Sequence, residues 1–206
     1  HPFIVTLSTQ LIVFGLVLMY LMLGGNNGQT LSGLDPSYTD FVRGTLFTVG
    51  GVAVPKYVLY SIILTAIMWV IWNKTKFGKN MFAVGSNEKT SRLSGINVNR
   101  VKLGVYALMG AVVAIAAVLQ VSRIGAMDPA NAGSGYELDS IAAVIVGGTS
   151  MSGGKGSVVG TVFGMLIIAV MNNLLNLLGV PPFLREAFKG AIIIAAVLLQ
   201  RKSSDN

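Results

Sequence analysis

Residues 138 to 148 read LDSIAAVIVGG, a run too short to cross a bilayer and too apolar for an ordinary surface loop. Hydrocarbon about 30 Å thick calls for about 20 residues of helix. The Gly147-Gly148 pair at the end of the run also invites a break. Whether this run enters the membrane depends on its neighbours, and the answer sets the number of crossings. Four longer apolar segments meet the length: Phe3 to Leu23, Val52 to Trp72, Leu103 to Val121 and Ser157 to Leu178. A fifth, Phe183 to Gln200, is apolar in its second half and carries Arg185, Glu186 and Lys189 near its start, where long side chains snorkel to an interface.

Charge orients these segments. Residues 73 to 102 hold seven Lys or Arg against the single acid Glu88, which places them inside by the positive-inside rule. Arg201 and Lys202 place the C-terminus there too. Leu103 to Val121 then exits, while the last two segments, followed backwards, leave Thr149 to Lys155 inside. A recrossing between Arg123 and Thr149 is therefore required, and the run around Ile141 to Val146 supplies it as a foreshortened or broken helix. Irregular backbone at membrane depth is tolerated where it is packed in protein or lines a route. The expected fold is an all-α integral membrane protein, a polytopic helical bundle of about six crossings with both ends inside. Residues 1–206 form a single transmembrane domain with a cytoplasmic loop at 73–102.

Composition agrees. Mean hydropathy is +0.70, 53% of residues are hydrophobic and 11% are charged, against about a quarter charged in soluble domains. Cys is absent and His1 is the lone histidine, so disulfides, thiolate chemistry and the usual zinc sites lack ligands. The net charge of +7 lies in loops between apolar runs, which favours lipid headgroups over nucleic acid. No paired acids accompany a nucleophile and an oxyanion site, so an enzyme is not expected and no cofactor is implied. GGTSMSGGKGS, residues 147 to 157, resembles a phosphate loop but has Thr149 where the first Gly belongs and Gly156 after Lys155. It is read as a tight cytoplasmic turn. The chain starts His-Pro rather than Met, close against its first span, and is read as the C-terminal part of a longer protein.

Several residues could carry function. Gly156, Gly160 and Gly164 recur at four-residue spacing, a stripe for close helix packing or for a sliding surface. Asn172, Asn173 and Asn176 lie in the outer half of their span and either bond neighbouring helices or touch a polar solute. Asp128, Glu137 and Asp139 precede the short helix. Asp139 is placed to cap it, or Tyr136, Glu137 and Asp139 form a vestibule contact for a hydroxylated solute or a docking protein. In the basic loop, Asn87 caps a short helix running to about Ser94, Glu88 suits its first turn, and Gly95 ends it. Glu88 and Arg92 pair at i,i+4, while Leu93 and Ile96 lean toward the membrane.

FAVGSNEKTSRLSGINVNRVK (82–102), GYELDSIAAVIVGGTSMSGGKGSVVGTVFG (135–164) and NNLLNLLGV (172–180) resemble permease subunits of bacterial ATP-binding cassette sugar importers, the ribose and galactose permease family. WNKTKFGKN (72–80) and LSGLDPSY (31–38) further resemble the galactose and methyl-galactoside branch. The resemblance implies a multi-pass inner-membrane permease that pairs with a second permease copy. It further implies a periplasmic sugar-binding protein that delivers sugar and a separate cytoplasmic ATPase that drives transport. Gly85, Asn87, Glu88, Arg92, Ser94 and Gly95 fall in the segment that couples to that ATPase. Tyr136, Glu137, Asp139, Asn172 and Asn176 are the path residues expected from the reading above. Two rival classes are a passive facilitator and an ion-coupled secondary transporter. The four clear spans lack the central ionisable groups an ion-coupled carrier needs.

Overall fold

A computed structural model of the chain describes residues 2–25, 29–33, 35–49, 51–181, 184, 185, 187–192 and 194. Among them, four helices are long and apolar enough to cross a membrane: α1 (Pro2–Leu23), α3 (Lys56–Lys74), α6 (Val98–Ile124) and α8 (Val158–Leu177). Between these lie α2 (Pro36–Arg43), α4 (Lys76–Ser86), α5 (Glu88–Leu93) and α7 (Tyr136–Val146), with strands β1 (Leu31–Ser32), β2 (Thr45–Val49), β3 (Val52–Pro55) and β4 (Ala126–Met127). The protein is a polytopic helical membrane protein, and α7, at 11 residues or about 16 Å, is short as expected. Half of the expected span from Phe183 to Gln200 lies outside the described residues. The second span differs from its reading: Val52 to Pro55 is strand, and helix begins at Lys56.

The chain forms two compact units, residues 1–59 with 113–134, and residues 60–112 with 135–206. In the first, Pro36 opens α2 behind Asp35, whose carboxylate accepts from Ser37 N–H at 2.8 Å. The helix is then fixed to the end of α6. Tyr38 Oη donates to Val118 O (3.0 Å), Ser122 Oγ donates to Tyr38 O (2.5 Å), and Val42 and Ser122 are fully buried. Arg43 donates to the Arg123 and Ile124 carbonyls at 2.8 and 2.5 Å, a cation on the free acceptors of a helix C-terminus. Antiparallel ladders β1–β4 and β2–β3 complete this unit.

In the second unit Thr75 caps α4, accepting from Gly78 N–H at 3.2 Å. A Cβ at Gly78 would collide with the Trp72 carbonyl, so the α3–α4 corner is reserved for glycine. Helices α7 and α8 then pack as an antiparallel hairpin. A side chain at Gly160 would strike Gly147 O and one at Gly164 would strike Ala143 O. Around this seam Ala142, Ala143 and Ile168 are buried, with Val146, Met171 and Ile192 against them. Away from the seam α8 exposes Phe163 (62%) and Met165 (66%) on its two flanks, as lipid contact requires. The glycine stripe is thus intramolecular packing, except that Gly156 precedes the helix and meets Thr149 instead. The capping role read for Asp139 is corrected. Helix α7 starts at Tyr136 after Gly135 in a left-handed conformation, without a side-chain cap, which leaves Asp139 inside the first turn.

Candidate functional site

The basic loop folds into two short helices joined at one residue. Asn87 ends α4, donating its N–H to Ala83 O, and starts α5, accepting from Thr90 N–H on Oδ1 at 3.0 Å. Its extended backbone (φ −155°) makes both caps possible. Gly95, at φ +80°, then closes α5. Its N–H donates to Arg92 O and that of Ile96 to Ser91 O, the paired bonds of a Schellman end. Ser94 Oγ donates to Thr90 O at 3.0 Å. Beneath this knuckle Ser91, Val98 and Val101 are buried.

Glu88 is the electrostatic centre. Its carboxylate accepts from Lys102 Nζ at 2.7 Å and from Arg92 Nη2 at 2.8 Å. Those bonds, Lys102 first, hold the carboxyl below its ordinary range. A depressed acid contributes above its unfolded pKa and loses that contribution as pH falls through the folded value. The Glu88 tether is therefore complete at neutral pH. The Arg92 bond was legible in the sequence, whereas the Lys102 bond was not. Leu93, expected to lean toward the membrane, is 90% exposed on α5, and Ile96 is half-buried. A hollow of about 320 Å³ opens beside it, lined by Arg92, Gly95, Ile96, Asn97, Val98 and Asn99. Gly85, at the end of α4, lies against the turn at Gly153 and Gly154.

The other candidates cluster on the α7–α8 hairpin. The register set by Gly147 against Gly160 and Ala143 against Gly164 brings the first turn of α7 level with residues 168–171, just past the middle of α8. Asp139 pairs with Lys189 at 2.8 Å, with side chains 31% and 15% exposed. Lys189 therefore turns to a counter-ion instead of snorkelling outward, while Arg185 Nε donates to Val180 O at 2.8 Å. Asn172 Oδ1 is buried without a hydrogen-bond donor among the described residues. Tyr136, Glu137 and Asn176 are exposed, and Ser140 Oγ donates to Tyr136 O. A second face of α7, which the sequence reading did not single out, borders an open hollow of about 240 Å³ with Ile141, Val144 and Met151. Outside these helices, Asp128 accepts from Asn131 Nδ2 and Ala130 N–H, and these bonds lower its pKa. Among the described residues no group of three His, Cys, Asp or Glu could hold a metal ion.

Comparison with known proteins bears on this arrangement. Residues 1–197 match the family model described as branched-chain amino acid transport system / permease component. The chain is 43% identical to the ribose import permease protein of Bacillus subtilis (strain 168), over 98% of this chain and 60% of that protein. It is 43% identical to the galactose/methyl galactoside import permease protein of Escherichia coli (strain K12), over 96% of this chain and 58% of that one. The ribose import permease protein of Escherichia coli (strain K12) is 40% identical, over 98% and 61%. The chain thus spans about three-fifths of the length of these curated relatives. No solved structure matches.

Proposed function

Because this chain belongs to the permease-component family of the branched-chain amino acid transport system, we propose that it is a permease subunit of an ATP-driven monosaccharide importer. The observation that carries the sugar assignment is the 40–43% identity, along nearly the whole chain, to permeases named for ribose and galactose import. In this reading residues 1–206 are a single transmembrane permease domain in a bacterial inner membrane, with the C-terminus cytoplasmic. A periplasmic binding protein delivers the sugar and a second permease copy completes the path. Gly85, Asn87, Glu88, Arg92, Ser94 and Gly95 form the surface gripped by a cytoplasmic ATPase, which alone hydrolyses ATP. The double cap at Asn87 and the Glu88 tethers support this role, because a handle must be stiff to move helices.

Along the path, Tyr136, Glu137, Asp139, Asn172 and Asn176 offer hydroxyl, carboxylate and amide groups of the kind that bond sugar hydroxyls. Full-length permease reconstituted with ATPase and binding protein supplies the test. Uptake of labelled galactose or ribose is expected only with ATP and all three components. Uptake that persists without the ATPase makes the protein a facilitator, and uptake driven by a proton or sodium gradient makes it an ion-coupled carrier.

A further inference from the structure

The glycine-rich connection between α7 and α8 is closed by its own hydrogen bonds. Ser150 N–H donates to Lys155 O at 3.0 Å, Gly153 N–H to Ser150 O at 3.1 Å, and Ser152 N–H to Ser150 Oγ at 3.2 Å. Both of its ends are anchored. Thr149 N–H donates to Val144 O and Gly148 N–H to Ile145 O, a Schellman end to α7. Ser157 caps α8 by accepting from Gly160 N–H.

The tip of this loop meets α4 backbone to backbone. Gly153 and Gly154, at φ +86° and +73°, turn toward the last residues of α4. A Cβ on Gly153 would collide with Gly85 O, one on Gly154 would lie 2.9 Å from Ser86 Cα, and one on Gly85 would lie 3.1 Å from Gly154 N. Glycine stands on both sides, so the helix end and the loop touch through main chain. Side chains between two elements absorb displacement by changing rotamer. Where Gly85 meets Gly153 and Gly154 there is none to change, the short Ser86 side chain lying beside Gly154, and close-packed groups transmit strain.

We propose that the contact of Gly85 with Gly153 and Gly154 is the mechanical link through which α4 and α5 drive the α7–α8 hairpin, making these three glycines positioning residues for transport. The link rests on the reading of residues 85–95 as the surface the ATPase grips. Movement of α4 is carried by the loop into the short helix, which bears Tyr136 and Asp139, without passing through the charged tether at Glu88. The segment that resembles a nucleotide loop thereby has a mechanical role.

The test uses full-length permease with its ATPase and binding protein in proteoliposomes. Gly153→Leu wedges a side chain into the junction from the loop side and leaves the gripped residues 85–95 unaltered. ATPase assembly and ATP hydrolysis are expected to persist while sugar uptake falls roughly 5- to 150-fold, the range of a lost coupling between sites. Gly153→Ala sets one methyl against Gly85 O and gives the same split more weakly. Gly133→Ala, at a like positive φ but with nothing within 4 Å of the added carbon, keeps uptake and so separates the collision from backbone strain. Gly110→Ala, with nothing within 4 Å of the added carbon, leaves uptake unchanged. Wild-type uptake from Gly153→Leu overturns the link, and so does loss of the ATPase from Gly153→Ala, which would make the loop part of the docking surface instead. Spin labels on Ser86→Cys and Ser152→Cys provide a readout independent of sugar. Their separation is expected to be the same in nucleotide-free and ATP-trapped complexes, and a shift between the two overturns the link. Absence of ATP-driven uptake by the wild type would instead sink the importer reading itself.

Discussion

At Glu88 two cations converge on one carboxylate, and only one of them is a sequence neighbour. Arg92 lies one turn along α5 and follows from helical spacing. Lys102 lies on α6 and reaches Glu88 at 2.7 Å only because Gly95 reverses the chain between them. Local caps at Asn87 and Gly95 were legible for the same reason that Arg92 was: each is satisfied within one turn. Asp139 misled the local reading because its partner, Lys189, is remote. The Lys102 bond changes how the handle is tested. Exchanging Glu88→Lys with Arg92→Glu alone sets Lys102 against a new cation. Adding Lys102→Glu restores both internal pairs and reverses only the charge shown to a partner. The triple variant is expected to insert and express like wild type, whereas the ATPase recovered with it in a pull-down falls by about tenfold or more, since like charges at an interface cost several kcal/mol. Normal recovery would reduce residues 85–95 to a positively charged loop.

Helices α7 and α8 owe their approach to glycine on both partners. The four-residue spacing of Gly160 and Gly164 was legible, but Gly147, the opposing half of the seam, belongs to no such stripe. Its role follows from the register between helices, which sequence spacing within one helix cannot encode. Strands β2 and β3 escaped notice for a different reason. Val52 to Pro55 merges with the apolar run of α3, so a hydropathy window of about 19 residues averages across the boundary despite the Gly50-Gly51 turn signal. Gly164→Leu is expected to lower thermal stability in detergent by at least roughly 1–3 kcal/mol through overpacking, because even its Cβ meets Ala143 O. Gly15→Ala in α1, with nothing within 4 Å, is the matched control and should leave the midpoint unmoved. Equal midpoints for the two variants would mean that α7 and α8 do not pack along this seam.

Across the whole molecule, the apolar lengths of four spans and the basic loop between α3 and α6 were legible because bilayer thickness and charge bias act on composition. The two compact units were not, since the sequence carries no linker at 59–60 or 112–113. Native Cys is absent, so single cysteines can report orientation directly. Replacements at Asp35 and Glu137 are expected to react with an impermeant thiol reagent in intact cells, and those at Lys89 and Lys155 only after lysis. Reaction of the Lys155→Cys variant from outside would overturn the crossing order. The ion pair between Asp139 and Lys189 also bears on how the protein is made. Asp139 leaves the ribosome well before Lys189, so the segment bearing the lysine reaches the translocation machinery with its counter-charge already synthesised. It can enter lipid as half of a neutral pair instead of a lone cation. A chain interrupted between the two would leave the Asp139 carboxylate without this counter-ion.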